Sequence, residues 1–165
     1  MTQPLRHFPT GPLNFRPISR IRDSGKRATT ISWINGIRAD YPWSMKAYED
    51  GKVANVYLVC TGQTPVGFIE CEARHVDLSS IHPIDLYLHE LHIHKDRKRQ
   101  GIASAILSEL LDKGVPIELV VANANVAMIE LMKKHSAVPK YQAPNTTTFL
   151  LERARTSPHA ASCQL

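Results

Sequence analysis

The chain has 165 residues, 43% of them hydrophobic and 21% charged, with 20 Lys and Arg against 15 Asp and Glu for a net charge of +5. That length suits one domain able to bury roughly 70% of its unfolded surface without staples, and no apolar run approaches the ~20 residues a membrane helix needs. The cysteines, Cys60, Cys71 and Cys163, are odd in number and widely spaced, which argues against a disulfide framework or zinc knuckle and points to a reducing cytoplasm, while the positive charge favours an anionic partner, a nucleic acid or a small polyanion such as a nucleotide cofactor.

Residues 1–13 read as a flexible lead-in with prolines and no apolar centre, so no signal peptide is expected. A single domain is expected over 14–153 and a disordered tail over 154–165. Asn14 to Ile18 reads as a short strand. From Ser24 to Arg38, Ile31, Ile34 and Ile37 recur at spacings of three beside Trp33, which predicts an amphipathic helix that Asn35-Gly36 interrupts or ends. Asp40 to Asp50 is irregular, with aromatic residues at Tyr41, Trp43 and Tyr48. Val53 to Cys60 and Val66 to Ala73 read as strands of a hairpin joined by the five-residue turn Thr61 to Pro65. A loop over 75–83 precedes a third long strand, Ile84 to His94.

Gly101 to Lys113 (GIASAILSELLDK) places Ile102, Ile106 and Leu110 on one face and is the clearest helix, closed by Lys113 and Gly114. Ile117 to Ala122 is a short buried strand. Val126 to His135 is a helix with Asn125 as its N-cap, and Thr146 to Leu151 is the last strand. The order predicts an α/β or α+β sandwich around a mixed sheet.

The chemistry concentrates at the junction HIHKDRKRQGIASAIL, where a strand ends near His94 and a helix begins near Gly101. The turn carries Lys95, Arg97, Lys98 and Arg99 against one Asp96. A helix N-terminus exposes unpaired N–H groups and a positive dipole end. Small residues at Gly101 and Ala103 let a phosphate oxygen reach those amides, and the basic side chains add charge. The arrangement suits a pyrophosphate. It is neither a Walker loop, which needs a Gly-Lys-Ser/Thr ending, nor the dinucleotide fingerprint, of whose glycines only one is present.

The segment Leu91 to Ala105 resembles the signature of the GNAT superfamily of N-acetyltransferases, in which an Arg/Gln-x-x-Gly-x-Gly/Ala loop after a strand holds the coenzyme A pyrophosphate. Lys98 stands at the Arg/Gln position, Gly101 at the first glycine and Ala103 at the Gly/Ala. Downstream, Val121 to Met128 resembles the strand-to-helix segment in which an Asn contacts the pantetheine arm, here Asn125. The resemblance spans Phe15 to Leu151 in element order and Glu90 to Ala137 in motifs. It implies a GNAT-like mixed, largely antiparallel sheet flanked by helices, with acetyl-CoA as cosubstrate and no metal. It also implies a cofactor site built from Leu91, His92, Ile93, Lys98, Arg99, Gln100, Gly101, Ile102, Ala103, Ser104 and Asn125. The backbone of Leu91 to Ile93 would pair with pantetheine, in a gap where the third and fourth long strands splay apart.

Three departures stand out. Lys98 keeps the charge of an arginine but loses its forked donors. Met132 stands where many members place a Tyr that protonates the departing thiolate, and Ser136 replaces a glycine that commonly follows. Tyr141, Ser136 or a water is left for that role, or no dedicated acid exists. Glu90, where related enzymes carry a carboxylate, is expected to deprotonate the amine directly or through water, with His92 as the other choice of base. Glu90, His92 and His94 share one strand face and His89 lies beside them; a metal there is not expected. Glu70, Glu72, Asp85 and Glu90 suggest an acidic cleft suited to a polyamine, a lysine side chain, a peptide N-terminus or an aminoglycoside, and a basic outer surface would suit a charged tRNA. The expected activity is transfer of an acetyl group to a primary amine of a small molecule or peptide by direct attack. A homodimer stays open and no membrane is involved. The alternatives are a catalytically weak CoA-binding sensor and a basic nucleic-acid-binding module.

Overall fold

The computed structural model describes residues 12–41, 47–75 and 84–153. Residues 1–11, 42–46, 76–83 and 154–165, which include Trp43 and the expected lead-in, tail and most of the expected loop, lie outside them. β1 (Leu13–Pro17) leads through a single 3-10 turn into α1 (Ser24–Ala39). Asp23 caps α1 by accepting from Lys26 N–H at 2.8 Å, and Ile31, Ile34 and Ile37 form its buried face.

The helix runs through Asn35-Gly36 instead of ending there. The reason is tertiary. The Asn35 amide accepts from Tyr48 N–H at 2.8 Å and donates to Tyr48 C=O at 2.9 Å. A polar side chain that would unsettle an isolated helix here ties α1 to the following segment.

β2 (Val56–Thr61) and β3 (Thr64–His75) form the expected hairpin, but its loop is only Gly62-Gln63. Pro65 belongs to β3. This is tolerated because the β4 ladder ends at Gly67↔Ile93, so the missing Pro65 N–H faces no strand on that side. β4 (Ile84–Ile93) is followed by α2 (Ile102–Leu111), β5 (Ile117–Ala122), α3 (Val126–Lys134), β6 (Val138–Gln142) and β7 (Thr146–Leu151). β6 has no counterpart in the sequence reading: all five of its residues are exposed and one is Pro139, so no apolar alternation announces it.

The strands form a seven-stranded sheet in the order β1-β2-β3-β4-β5-β7-β6, antiparallel except where β4 meets β5. The fold class is the mixed, largely antiparallel sheet with flanking helices expected above. α1 covers one face over a cluster including Ile18, Ile34, Val56, Leu58 and Phe68. α2 and α3 contribute to a second cluster with Ile69, Leu88, Ile106, Leu107, Ile117, Met132 and Leu151.

Two irregularities in β4 position the site. β4 and β5 pair only at Leu86↔Ile117 and Tyr87↔Glu118, so the expected gap opens beyond Tyr87. On its other side β4 pairs Leu88 with Cys71 and Glu90 with Glu70, which leaves His89 as the extra residue of a bulge. Gly67 locks the far end: a Cβ there would lie 2.2 Å from the His92 carbonyl oxygen, so only glycine lets β3 and β4 approach this closely.

Candidate active site

The β4–β5 gap and the start of α2 enclose an open cavity of about 400 Å³. Leu91 and Ile93 of β4, Lys98, Arg99 and Gly101 of the turn, Ile102, Ala103 and Ser104 of α2, and Asn125 before α3 all line it. These are nine of the cofactor residues expected from sequence. His92 and Gln100 do not line it. His92 is only 6% exposed and turns to the α1 face, stacking on Phe68 at 5.0 Å. Gln100 donates its side-chain amide to Asp96 C=O at 3.3 Å.

The backbone explains the cradle. Arg99 (φ 59°) and Gly101 (φ 75°) are left-handed on either side of Gln100, a form of turn that gathers N–H groups toward one side. A Cβ on Gly101 would meet nothing within 4 Å, so the position opens onto free space. Ala105 N–H donates to Gly101 C=O at 2.9 Å as the first helical bond, which leaves the amides before it for a ligand. Arg97, Lys98, Arg99 and Lys134 all line the cavity and no carboxylate does. A donor set of helix amides and four cations fits a pyrophosphate.

Sequence reasoning missed part of the lining: Tyr41, Ala127, Met128, Leu131 and Lys134. Tyr41 follows α1, and its ring lies 4.7 Å from Lys98 Nζ while its hydroxyl donates to Ile93 C=O at 3.3 Å. Nothing local to Tyr41 announces this placement. Ser104 Oγ meets His135 Nε2 at 2.8 Å, and burial, then the nearby Lys134, lowers the His135 pKa. Asn125 accepts from Met128 N–H at 3.2 Å as the expected N-cap and lines the cavity as well.

The face of β4 under α1 carries a different chemistry. Arg38, buried at 4% exposure, grips both oxygens of Glu90, with Nε 3.0 Å from Oε2 and Nη2 on Oε1. His92 Nε2 lies 2.6 Å from the same Oε2. Burial pushes the Glu90 pKa up, but donation from His92 and Arg38 outweighs it and holds the carboxyl below its ordinary range. Glu90 is therefore a fully engaged anion. Tyr48 donates to Glu70 at 2.5 Å, and burial, then that carboxylate, pushes the phenol up. Further along, Glu72 Oε1 is met by Arg74 Nε at 2.7 Å and His89 Nε2 at 3.2 Å. Glu70, Glu72 and Glu90 thus each have an internal partner.

The expected acid candidates, Tyr141 and Ser136, do not line the cavity. Tyr141 is on edge strand β6, 67% exposed, and does not line the cavity. Met132 is wholly buried in the core beneath α3. Ser136 has φ 54°, the left-handed conformation a glycine adopts readily. Among the described residues no three His, Cys, Asp or Glu side chains gather as a metal site, and no helix is long and apolar enough to cross a membrane.

No curated protein matches the chain by sequence. In fold it is similar to an acetyltransferase from Thermus thermophilus, with a TM-score of 0.60 and 18% identity over 84% of this chain and 95% of that one. Arabidopsis thaliana Naa50, solved with the bisubstrate analogue CoA-Ac-MVNAL, gives 0.59 and 18% over 84% and 96%. The ribosomal-protein-S18-alanine N-acetyltransferase of Escherichia coli gives 0.56 and 17% over 90% and 99%. At such identities the likeness is one of fold. The model of the acetyltransferase (GNAT) family, however, matches residues 22–136, from α1 through the pyrophosphate-type turn to the end of α3. The chain belongs to the GNAT acetyltransferase family.

Proposed function

We propose that the protein transfers an acetyl group from acetyl-CoA to a primary amine by direct attack. The observation that carries this reading is the cavity in the β4–β5 gap, walled by helix amides and four cations with no carboxylate among its lining. Fold neighbours crystallised with CoA conjugates and with acetyl-CoA support the choice of cosubstrate, and the CoA-Ac-MVNAL analogue bound to one of them favours a peptide N-terminus as acceptor.

Gly101, Ile102 and Ala103 would offer N–H groups to the pyrophosphate, with Lys98, Arg99 and Arg97 supplying charge. The backbone of β4 from Leu91 to Ile93, bare of β5 beyond Tyr87, would bind the pantetheine arm. A free N–H on that edge would stabilise negative charge on the acyl oxygen. Acetyl-CoA supplies an activated thioester, so no nucleophile on the protein is required. Cys71 lies buried with its thiol pushed up to about 11 by burial and then Glu70, which suits a core residue.

The test is thiol release from acetyl-CoA in the presence of spermidine, lysine methyl ester or an alanine-led pentapeptide. Release that rises with one of these amines and yields its acetyl derivative is the expected result. CoA binding without release from any of them would leave a sensor, and no CoA binding at all would sink the reading.

A further inference from the structure

The acetyl-transfer reading leaves open which group takes the proton from the incoming ammonium. Glu90, the choice from sequence, is bound through both oxygens to Arg38 and its side chain is 12% exposed. Accepting a proton there would break a buried ion pair. His92 is enclosed by Tyr41, Phe68 and Glu90. One further imidazole stands at the right place in the sheet.

We infer that His89, positioned by Glu72 at the bulge where β4 leaves β5, accepts the proton of the incoming amine. Three observations converge. First, His89 is the residue that the bulge inserts between Leu88 and Glu90, so it has no opposite number on β3. Bulges of this kind re-aim a side chain. Second, the last β4–β5 pair is Tyr87↔Glu118, so by register His89 is the second β4 residue beyond it and stands two before Leu91, the first β4 residue lining the cavity; its own side chain is directed to Glu72 and lies outside that lining. Third, its side chain is 33% exposed and its Nε2 is 3.2 Å from Glu72 Oε1.

That contact sets the tautomer. With Nε2–H directed at Glu72, Nδ1 holds the free lone pair. Glu72 stays anionic because Arg74, and after it His89, hold its pKa below the usual range. Among the described residues, the other titratable or charged groups near His89 are Tyr87, whose ring centroid is 4.7 Å away, and Arg74, stacked on Tyr87 at 3.5 Å; Glu118 on β5 stands opposite Tyr87 and is itself bonded to Lys140 at 2.9 Å. None of these takes the place of Glu72 on His89. An imidazole with one ring nitrogen held by a carboxylate and the other free can take a proton from an incoming ammonium.

The step balances. His89 Nδ1 takes one proton from the ammonium. The amine nitrogen forms a C–N bond to the acyl carbon, and the C–S bond breaks with its electron pair on sulfur. The second amine proton ends on the thiolate, and the imidazolium returns its proton to solvent.

The experiment rests on the proposed function and separates the two. Thiol release by the full chain is followed against pH with the best amine of the three named above, for wild type, H89Q, E72Q and E90Q. H89Q is expected to lose at least about a hundredfold in kcat, with KM for acetyl-CoA within about twofold, and to lack the acid limb of kcat/KM. H89A is expected to recover activity with added imidazole. E72Q, which only positions the ring, should fall about tenfold and keep the limb. A wild-type acid limb in H89Q, or its loss in E90Q alone, overturns the inference while leaving acetyl transfer in place. So does a fall in acetyl-CoA affinity as large as the fall in turnover, since that marks His89 as structural. Failure of the wild type with every amine overturns the proposed function itself and this inference with it.

Discussion

β4 divides two regions built on different principles. Along its free edge, the proposed cofactor cavity draws most of its polar wall from 91–104, one contiguous run whose backbone would supply the donors. On the face beneath α1, Arg38, Tyr48, Glu70, Glu90 and His92 come from α1, the segment after it, β3 and β4, with bonded partners up to 52 residues apart, and side chains supply the chemistry. A backbone site tolerates a change such as Lys98 at an arginine position, because helix amides remain whatever the side chain. A buried side-chain network does not, because losing one member strands another.

The sharpest way to break that contrast is to remove Arg38. Its side chain is 5% exposed and that of Glu90 12%. Truncation would leave the Glu90 carboxylate buried against His92 alone. Arg38→Ala should cost about 3–5 kcal/mol of stability, read as a fall in the denaturant midpoint with an unchanged slope. A loss under about 1 kcal/mol would show that the pair is held no more firmly than a surface bridge.

The cofactor edge should respond the other way, losing binding while keeping its fold. Gly101→Glu puts a carboxylate where the cavity is open and cationic, on a backbone with φ 75°. Affinity for CoA should fall at least about a hundredfold, or ~2.7 kcal/mol, with a strain cost near 1 kcal/mol on stability. Calorimetric titration beside a melting curve separates the two. Full CoA affinity in the variant would move the pyrophosphate away from this turn.

These two outcomes map onto what the sequence discloses. The turn from Lys98 to Ala103 was legible as a candidate anion cradle because its features are local: charge, small residues and a helix start fall within six positions. β5, β7, α2 and α3 were legible through apolar periodicity. β6 was not, because an edge strand of exposed residues carries no period. The continuity of α1 past Gly36 was hidden because Asn35 is satisfied by Tyr48, thirteen residues on. The partnership of Arg38 with Glu90, and the bulge that singles out His89 from His92 and His94, are long-range facts about strand register. No spacing rule reaches them.

The two sides of β4 should also differ in acid. Glu90 has a folded pKa below its ordinary value, so its contribution to stability is complete above the unfolded carboxylate value of ~4.3 and is lost as pH falls through the folded one. Wild type should therefore lose stability on acidification below about pH 5 more steeply than Glu90→Gln. Melting temperatures taken between neutrality and acid at fixed ionic strength should converge for the two proteins as pH falls. A gap that stays constant would mean that Glu90 is no better paired in the folded state than in the unfolded chain.

The smallest expected effect is at the end of α3, where the cofactor side keeps one imperfection. Ala137 N–H donates to Met132 C=O at 3.0 Å and Ser136 N–H to Lys133 C=O at 3.0 Å. With Lys134 as the last helical residue, this is the paired bonding of a Schellman cap, and Ser136 occupies the left-handed position that glycine usually fills. Ser136 is exposed, so its side chain adds little burial to set against the strain of φ 54°. Glycine relieves that strain but has more freedom to lose on folding. The two terms oppose each other, and strain of about 1 kcal/mol or more is the larger. Ser136→Gly should therefore stabilise the chain by about 0.5–1 kcal/mol, a rise of roughly 1–4 °C in Tm for a protein of this length. CoA affinity should not change, because the cap bonds are backbone bonds that glycine keeps. A lower Tm would mean that the serine hydroxyl contributes more than the backbone strain costs.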